Sequence, residues 1–191
     1  MTHVLAVVML CQTLLFTSAA PTVLRPGTPT KSICVASPAV AVWFSPHGGC
    51  TAAIVAEIDA AKRTCFVQAY SLTSAPITLA LKEAKRRGVR VEVLIDRGQS
   101  AQPGCTAAAL TAADIRVIVA AGPGLAHNKV LLIDGKTIVT GSFNFSAGAE
   151  TENQENVLVI RAMPDLFGRY QANWVKCRAG ATAVQPKPAS K

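Results

Sequence analysis

A histidine and a lysine stand two residues apart before an apolar run of this chain, and further polar side chains follow the next run. The first pair is His127 and Lys129, and the second is Ser142 and Asn144. Histidine can attack phosphorus or transfer protons near neutral pH, and lysine supplies a fixed positive charge for phosphate oxygens. Serine and asparagine add neutral hydrogen-bond donors. These residue types predict a cradle for an anion whose charge grows in a transition state, as in phosphoryl transfer.

A hairpin between the two runs would bring these residues together. The dipeptide 134–135 (Asp-Gly) is a strong signal for a two-residue hairpin loop. This register places Lys129 opposite Thr140. It also places His127 opposite Ser142. Directly opposed residues share a face of the sheet, so the four polar side chains should project to one side. A slip of one residue would put them on opposite faces.

Alternating strands and helices must position this hairpin. The predicted strands are 39–44, 65–70, 89–95, 116–119, 130–133 and 137–140, and the predicted helices are 51–61, 76–87, 107–113 and 164–176. The order predicts an α/β fold with a mixed, largely parallel central β-sheet flanked by helices.

The ends of the chain are expected to lie outside this fold. Residues 1–20 contain an apolar stretch that ends in small residues, which predicts a signal peptide and a periplasmic or secreted protein. No Lys or Arg precedes the stretch, so an uncleaved membrane anchor is the alternative. Cleavage predicts no stable membrane association. We expect an irregular segment at 21–37, a single catalytic domain at 38–178 and a disordered tail at 179–191.

Six cysteines occur in the chain, and Cys11 would leave with the signal peptide. One or two disulfides are compatible with an oxidising compartment, and their connectivity stays open. Neither the cysteines nor the histidines have zinc-ligand spacing, and no carboxylates cluster on the face of His127. We therefore predict no metal and no cofactor.

The composition favours an anionic partner. Half of the chain is apolar and its formal net charge is +8, which excludes disorder by composition and favours nucleic acid or an anionic membrane surface. Only 5% of the residues are aromatic, so recognition should depend on phosphates and show weak sequence specificity. Several basic residues either line a groove that follows the phosphate backbone or form a solvated helix face. They are Lys82, Lys85, Arg86, Arg87, Arg90 and Arg97.

The polar residues form part of a longer pattern that resembles the HKD motif of the phospholipase D superfamily. The resemblance extends over about residues 38–176 and is closest to the small, single-motif bacterial periplasmic endonucleases of the Nuc type. The motif residues are His127, Lys129, Asp134, Gly141, Ser142, Asn144, Phe145, Ser146, Glu155 and Asn156.

The resemblance implies an α-β-α sandwich and a role for each motif residue. His127 would be the nucleophile that forms a phosphohistidine, and Glu155 would accept a hydrogen bond from its ring. The non-bridging phosphate oxygens would be bound by Lys129, Ser142 and Asn144. Asp134 and Gly141 would be structural.

The implied mechanism needs two histidines, one as the nucleophile and one as the acid for the leaving oxygen. The chain has one such motif and no internal repeat, and His47 lies in a different sequence context. The second catalytic histidine should therefore be His127 of another copy, which predicts a two-fold homodimer with one composite site. One neutral and one protonated imidazole would give a bell-shaped pH profile.

We therefore expect a metal-independent phosphodiesterase, and within that class a sequence-nonspecific endonuclease that cleaves DNA and also RNA. The alternative is a phospholipase D-type enzyme that acts on lipids, because the chemistry is shared and the surroundings of the site select the substrate. A third possibility is a binding protein that keeps the fold without turnover.

Overall fold

Strands and helices alternate along residues 39–184, the part of the chain that the computed structural model describes. The strands are β1 (Val40–Phe44), β2 (Thr64–Ala69), β3 (Arg90–Ile95), β4 (Arg116–Val119), β5 (Val130–Ile133), β6 (Thr137–Gly141), β7 (Asn156–Arg161) and β8 (Thr182–Ala183). The helices are α1 (Cys50–Ala60), α2 (Ala75–Arg86), α3 (Arg97–Ser100), α4 (Ala107–Thr111), α5 (Ala147–Thr151) and α6 (Pro164–Arg178).

All of these strands join one sheet in the order β1-β7-β6-β5-β2-β3-β4-β8. The α/β class and the mixed sheet flanked by helices are confirmed. The expected predominance of parallel pairing is wrong, because only β2–β3 and β3–β4 are parallel. Helical crossovers join those strands, as parallel neighbours require. In contrast, β5 and β6 are joined by a short turn, β6 and β7 by a longer segment that contains α5, and both pairs are antiparallel.

Helices cover both faces of the sheet, which confirms the expected layering. On one face, Ile54 of α1, Ile77 of α2 and Leu110 of α4 belong to the larger cluster of buried side chains. On the other face, α6 contributes the buried residues Phe167 and Trp174. The Trp174 ring stacks on Phe66, with the ring centres 5.5 Å apart.

The ordered chain continues beyond the expected end of the domain at residue 178. Strand β8 pairs with β4, and the backbone N–H of Val184 donates to the carbonyl oxygen of Val117 at 2.8 Å. Arg178, the last residue of α6, donates from Nε to Glu92 Oε1 at 2.5 Å, and Glu92 is buried on β3. The segment after α6 thus includes a short strand of the sheet, within the residues 179–191 for which the sequence predicted a disordered tail.

The predicted signal peptide, most of the predicted irregular segment and residues 185–191 of the predicted tail lie outside the described residues, as do Cys11 and Cys34. Within residues 39–184, Cys50, Cys65, Cys105 and Cys177 form no disulfide with one another. Over the same residues, no helix combines the length and the apolar character that crossing a membrane requires.

The β5–β6 hairpin differs from its expected register by one residue. Ile133 pairs with Thr137, whereas the sequence predicted that it would pair with Lys136. Lys136 still closes the turn by donating its N–H to the Ile133 carbonyl at 3.0 Å. Its own carbonyl accepts a bond from Ala162 N–H at 3.0 Å, so Lys136 is an extra residue on the second strand, as in a β-bulge.

The predicted two-residue loop would have paired Ile133 with Lys136 and, through the same register, His127 with Ser142. The observed shift of one residue removes this reason for the site residues to share a face. The last pair of the ladder is Val130 with Thr140. Continuing the same register would place Phe143, rather than Ser142, opposite His127. The polar site residues therefore lie beyond the paired part of the hairpin, and another feature of the fold must bring them together.

Asp134 joins the hairpin turn to the start of β2. Its Oδ1 accepts bonds from the backbone N–H groups of Arg63 at 2.7 Å and Thr64 at 2.9 Å, and its Oδ2 accepts one from Lys62 at 2.8 Å. Burial alone would raise the pKa of Asp134, but these three donations and the charge of Lys136 outweigh it, so the pKa lies below its usual range.

Replacing Asp134 with Asn should lower the free energy of unfolding by about 2–3 kcal/mol at neutral pH, because an amide accepts fewer and weaker bonds than a carboxylate. The native carboxylate has a pKa below the ordinary 3.8, so its stabilisation is lost as the pH falls through that lower value. The wild-type and Asp134→Asn curves should therefore converge in acid.

Urea unfolding followed by circular dichroism as a function of pH measures this difference. Glu152→Gln is the matched control, because Glu152 is exposed and its carboxylate makes no hydrogen bond within residues 39–184. A difference between wild type and Asp134→Asn that stays constant across the acid range would contradict the assignment.

Candidate active site

One edge of the sheet gathers the site residues, because neighbouring antiparallel strands end and begin there. β5 and β7 start at this edge, and β1, β2, β3, β4 and β6 end there. His127 and Lys129 precede β5, Ser142 and Asn144 follow the last residue pairs of β6, and Glu155 directly precedes β7. Strand ends thus place the five predicted side chains at one edge of the sheet.

Lys129 carries a buried positive charge at this edge, with only 7% of the residue exposed. Its Nζ lies 3.0 Å from each ring nitrogen of His127 and donates to the His127 carbonyl at 2.9 Å. It also lies 5.0 Å from the centre of the Tyr70 ring. No carboxylate of residues 39–184 lies within ion-pair distance of it.

Burial lowers the pKa of the Lys129 ammonium, and the charge of Glu155 acts in the opposite direction without cancelling that effect. A buried cation that lacks an ionic partner is costly for a fold and binds anions strongly. This arrangement is therefore suited to binding an anion directly beside the His127 ring.

His127 is exposed, while the backbone on both sides of it is fixed. The Ala126 N–H donates to Asp96 Oδ2 at 2.9 Å, and the Tyr70 N–H donates to the Asn128 carbonyl at 3.1 Å. The ring packs edge-on against Tyr70, with the ring centres 4.4 Å apart. An incoming group can therefore reach an imidazole that the surrounding chain holds in place.

Ser142 and Asn144 lie in the segment that follows β6. Ser142 Oγ accepts a hydrogen bond from the Asn156 N–H at 3.1 Å. Asn144 Oδ1 is buried and has no hydrogen-bond partner within residues 39–184, which is uncommon for a buried polar atom. Gly141 permits this packing, because a Cβ there would lie 2.1 Å from the Asn156 carbonyl oxygen.

Glu155 makes different contacts from those that the sequence predicted. Its Oε1 accepts a bond from Asn153 Nδ2 at 3.1 Å, and no hydrogen bond joins it to His127 within the described chain. Its backbone N–H donates to Ser45 Oγ at 3.1 Å, and its carbonyl accepts the Ser45 N–H at 3.0 Å. Glu155 thus lies within electrostatic reach of Lys129 but does not orient the His127 ring in this conformation.

A loop at 45–49 packs against this part of the site. Glu150 holds the loop by accepting the N–H groups of Gly49 at 3.0 Å and Thr51 at 2.7 Å. The His47 N–H donates to the Glu150 carbonyl at 2.8 Å. Burial raises the pKa of Glu150, but the hydrogen bonds from Thr51 and Gly49 and the charge of His47 leave it below the usual range. Glu150 therefore serves as an anchor for the loop.

Sequence reasoning missed four residues that shape the site, namely Ser45, Tyr70, Asp96 and Glu150. Three of them directly follow a strand that ends at this edge: Ser45 after β1, Tyr70 after β2 and Asp96 after β3. Polar residues at such positions were a signal in the sequence that could have been used. Glu150 offered no comparable signal, because its contacts are with a loop about a hundred positions earlier in the chain.

The site offers acids, bases and cations but no grouped metal ligands. Among residues 39–184, no three His, Cys, Asp or Glu side chains are placed to hold one metal ion. The arrangement can bind a phosphate with Lys129 and present the imidazole of His127 to phosphorus.

Known proteins share both the sequence and the fold. A family profile described as "Cardiolipin synthase, PLD-like domain" matches residues 54–174. A Phospholipase D of Rickettsia conorii is 42% identical over 140 residues, which cover 73% of this chain and 70% of that protein.

Two solved structures are also similar. Nuc from Salmonella typhimurium, a phospholipase D family member, superposes with a TM-score of 0.74 at 34% identity, over 78% of this chain and 99% of that one. NucT from Helicobacter pylori shares the fold, with a TM-score of 0.71 at 20% identity over 76% and 98% of the two chains. This chain therefore belongs to the phospholipase D superfamily of phosphodiesterases, as a member of the Nuc type.

Proposed function

We propose that the chain is a metal-independent endonuclease that cleaves DNA, and also RNA, without sequence specificity through a phosphohistidine intermediate. The observation that carries this proposal is the buried Lys129 ammonium, which has no carboxylate beside it and lies 3.0 Å from the ring of an exposed His127. A phosphodiester would meet a desolvated cation and a nucleophile at the same point.

The reaction proceeds in two displacements. A lone pair on the His127 ring attacks phosphorus, and the bond from phosphorus to the leaving oxygen breaks while His127 of a second copy protonates that oxygen. Water then attacks phosphorus and gives its proton to the second imidazole, and the bond between phosphorus and His127 breaks. Lys129, with Ser142 and Asn144, stabilises the charge on the non-bridging oxygens in both steps.

Nucleic acid is the favoured substrate for two reasons. The formal net charge of +8 attracts a polyanion, and the Nuc type is the branch of the family that the motifs resemble. The apolar stretch in residues 1–20 supports a periplasmic or secreted location, where such an enzyme would meet foreign or released nucleic acid.

A lipid substrate is the second candidate. The Rickettsia relative is named Phospholipase D. Two large apolar side chains at the edge of the site are strongly exposed, Phe44 at 63% and Leu125 at 67%. These side chains would suit contact with a lipid surface if the substrate were a phospholipid.

The second histidine requires a second copy of the chain, and the described surface offers an apolar face for it. Val40, Val42 and Phe44 project to one face of β1 and are exposed by 44%, 48% and 63%. They continue onto Ile160 and Leu158, their half-buried neighbours on β7. We call these five residues the β1–β7 strip.

The β1–β7 strip carries no charged side chain, as the buried centre of a dimer interface requires. The strip ends at Phe44. The next residue, Ser45, forms hydrogen bonds with the backbone of Glu155 through its own backbone N–H and through its Oγ. A second copy seated on the strip would therefore lie beside the site. The resulting homodimer places both copies of His127 at one phosphate.

Replacing His127 with Asn should reduce DNA cleavage by at least about 10³-fold, because the nucleophile and the acid are lost together. Purified protein is incubated with plasmid DNA, RNA and phosphatidylcholine vesicles, each with excess chelator. Nucleic acid cleavage that survives chelation supports the proposal. Choline release without nucleic acid cleavage supports the lipid substrate.

The matched control is His47→Asn, which removes the other histidine of the described chain from a position whose φ of 60° Asn tolerates. This variant should keep wild-type activity. An active His127→Asn variant would refute the mechanism, and an inactive His47→Asn variant would indicate a histidine pair within one chain.

Replacing Val42 with Lys should convert the dimer to a monomer and abolish nucleic acid cleavage, since the interface would have to bury a charged ammonium among apolar side chains. Light scattering after gel filtration measures the mass. Leu79→Lys is the matched control, because Leu79 is 59% exposed on α2 and lies away from the strip. A dimeric, active Val42→Lys variant would show that the interface lies elsewhere.

A further inference from the structure

A groove leads away from His127 along the ends of β3 and β4. Its inner part is a cavity of about 290 Å³ bordered by His127, and its outer part is a cavity of about 490 Å³ bordered by Arg97. The two parts share Leu125, Ala126 and Cys177 in their walls, so they lie next to each other. Each part falls within the size range of ligand sites or just below it.

Asp96 holds both walls of the groove in place. It is 3% exposed, and its Oδ1 accepts the Gln99 N–H at 3.1 Å while its Oδ2 accepts the Ala126 N–H at 2.9 Å. One bond fixes the wall that carries Arg97, and the other fixes the loop that carries His127. Because both carboxylate oxygens are occupied, the groove is preformed and its one buried carboxylate is satisfied.

Arg97 is the distinctive charge in this groove. The segments that follow or precede the strand ends at this edge are 45–49, 70–74, 96–106, 120–129, 141–155 and 179–181, and Arg97 and Lys129 are their only Arg or Lys residues. Arg97 is exposed, and its guanidinium makes no hydrogen bond or ion pair within residues 39–184.

Several other basic residues near α2 are already paired. Lys85 lies 2.8 Å from Asp114, Arg87 lies 3.8 Å from Asp59, and Arg86 pairs with Glu83. For these three residues, the ion pairs agree with a solvated helix face, which the sequence offered as the alternative to a groove that follows the phosphate backbone. Arg97 differs from them because it stands at the edge of the active site with its charge unmatched.

The floor of the inner cavity adds a neutral polar group. Gln68 is 3% exposed and lines this cavity, and its Oε1 has no hydrogen-bond partner within the described chain. A buried amide oxygen without a hydrogen-bond partner is uncommon in a protein interior. It offers a polar contact to a sugar or base beside the phosphate.

We propose that this groove binds the phosphodiester next to the scissile one in a polynucleotide strand, with Arg97 paired to its phosphate. The inference rests on the proposed nuclease function and extends it to a second phosphate subsite. A guanidinium pairs with phosphate through two parallel hydrogen bonds, so Arg97 would fix the path of the strand as well as its affinity. Substrates with a single phosphodiester cannot use this subsite.

The test compares two substrates in the full-length protein. One is a single-stranded DNA of about 20 nucleotides, a length that extends well beyond one binding site. The other is bis(p-nitrophenyl) phosphate, which has one phosphodiester. Arg97→Gln should raise KM for the DNA about five- to tenfold and leave kcat/KM for the small ester unchanged. The slope of log KM against log salt should also fall by about 0.7.

Lys82→Gln is the matched control, since it removes one unpaired positive charge from α2, outside the groove. It should leave KM for the DNA and its salt slope unchanged. The subsite is refuted if Arg97→Gln matches wild type on DNA, if it loses activity equally on both substrates, or if Lys82→Gln has the same effect. Wild-type protein that cleaves the small ester but not DNA would instead refute the proposed nuclease function, and the subsite with it.

Discussion

A positive charge buried without a carboxylate beside it is the constraint on which the site depends. The effective penalty for removing an ion from water is several kcal/mol, and the neighbours of Lys129 are an imidazole, a carbonyl oxygen and an aromatic ring. None of them carries a negative charge that would neutralise the ammonium. The rest of the domain must therefore supply the stability that this residue removes, and an anion that enters the site meets a cation already stripped of water.

The acidic residues around the site explain how the charge of Lys129 stays uncompensated. Asp96 and Glu150 each accept backbone N–H groups from segments distant in sequence. Their carboxylates serve as junctions between loops and strand ends. The hydrogen bonds that hold the loops also occupy these carboxylates. The edge of the sheet is therefore rigid, and the positive charge of Lys129 stays available to a phosphate.

The sequence predicted the fold class, and it singled out residues that lie at one edge of the sheet, but it did not predict the geometry that brings them there. Asp134 and Gly135 predicted the hairpin correctly, yet Lys136 enters the second strand as an extra residue because its carbonyl bonds to Ala162 beyond β7. A long-range bond of this kind has no local signature. The predicted residues nevertheless lie at one edge of the sheet because each flanks a strand end, and that property survives a shift of register.

Local sequence patterns also could not predict whether neighbouring strands run parallel or antiparallel. The apolar run of β5 suits a strand buried on both faces, whether parallel or antiparallel, and its place beside β2 depends on the loop at 120–129. The same limit applies to Glu155, whose spacing suggested a partner for His127. In the folded chain it is tied instead to Ser45 and Asn153, which are fixed by the packing of β1 on β7.

The order of the strands lays out three surfaces along one edge. The β1–β7 strip lies at one end, the cluster around Lys129 lies in the middle, and the groove with Arg97 lies toward β4. A two-fold axis beside the strip would make the two grooves run away from each other, with both copies of His127 between them. A nucleic acid strand has a direction, whereas the proposed dimer would be symmetric about its two-fold axis. The orientation of the bound strand would then decide which His127 attacks phosphorus and which protonates the leaving oxygen.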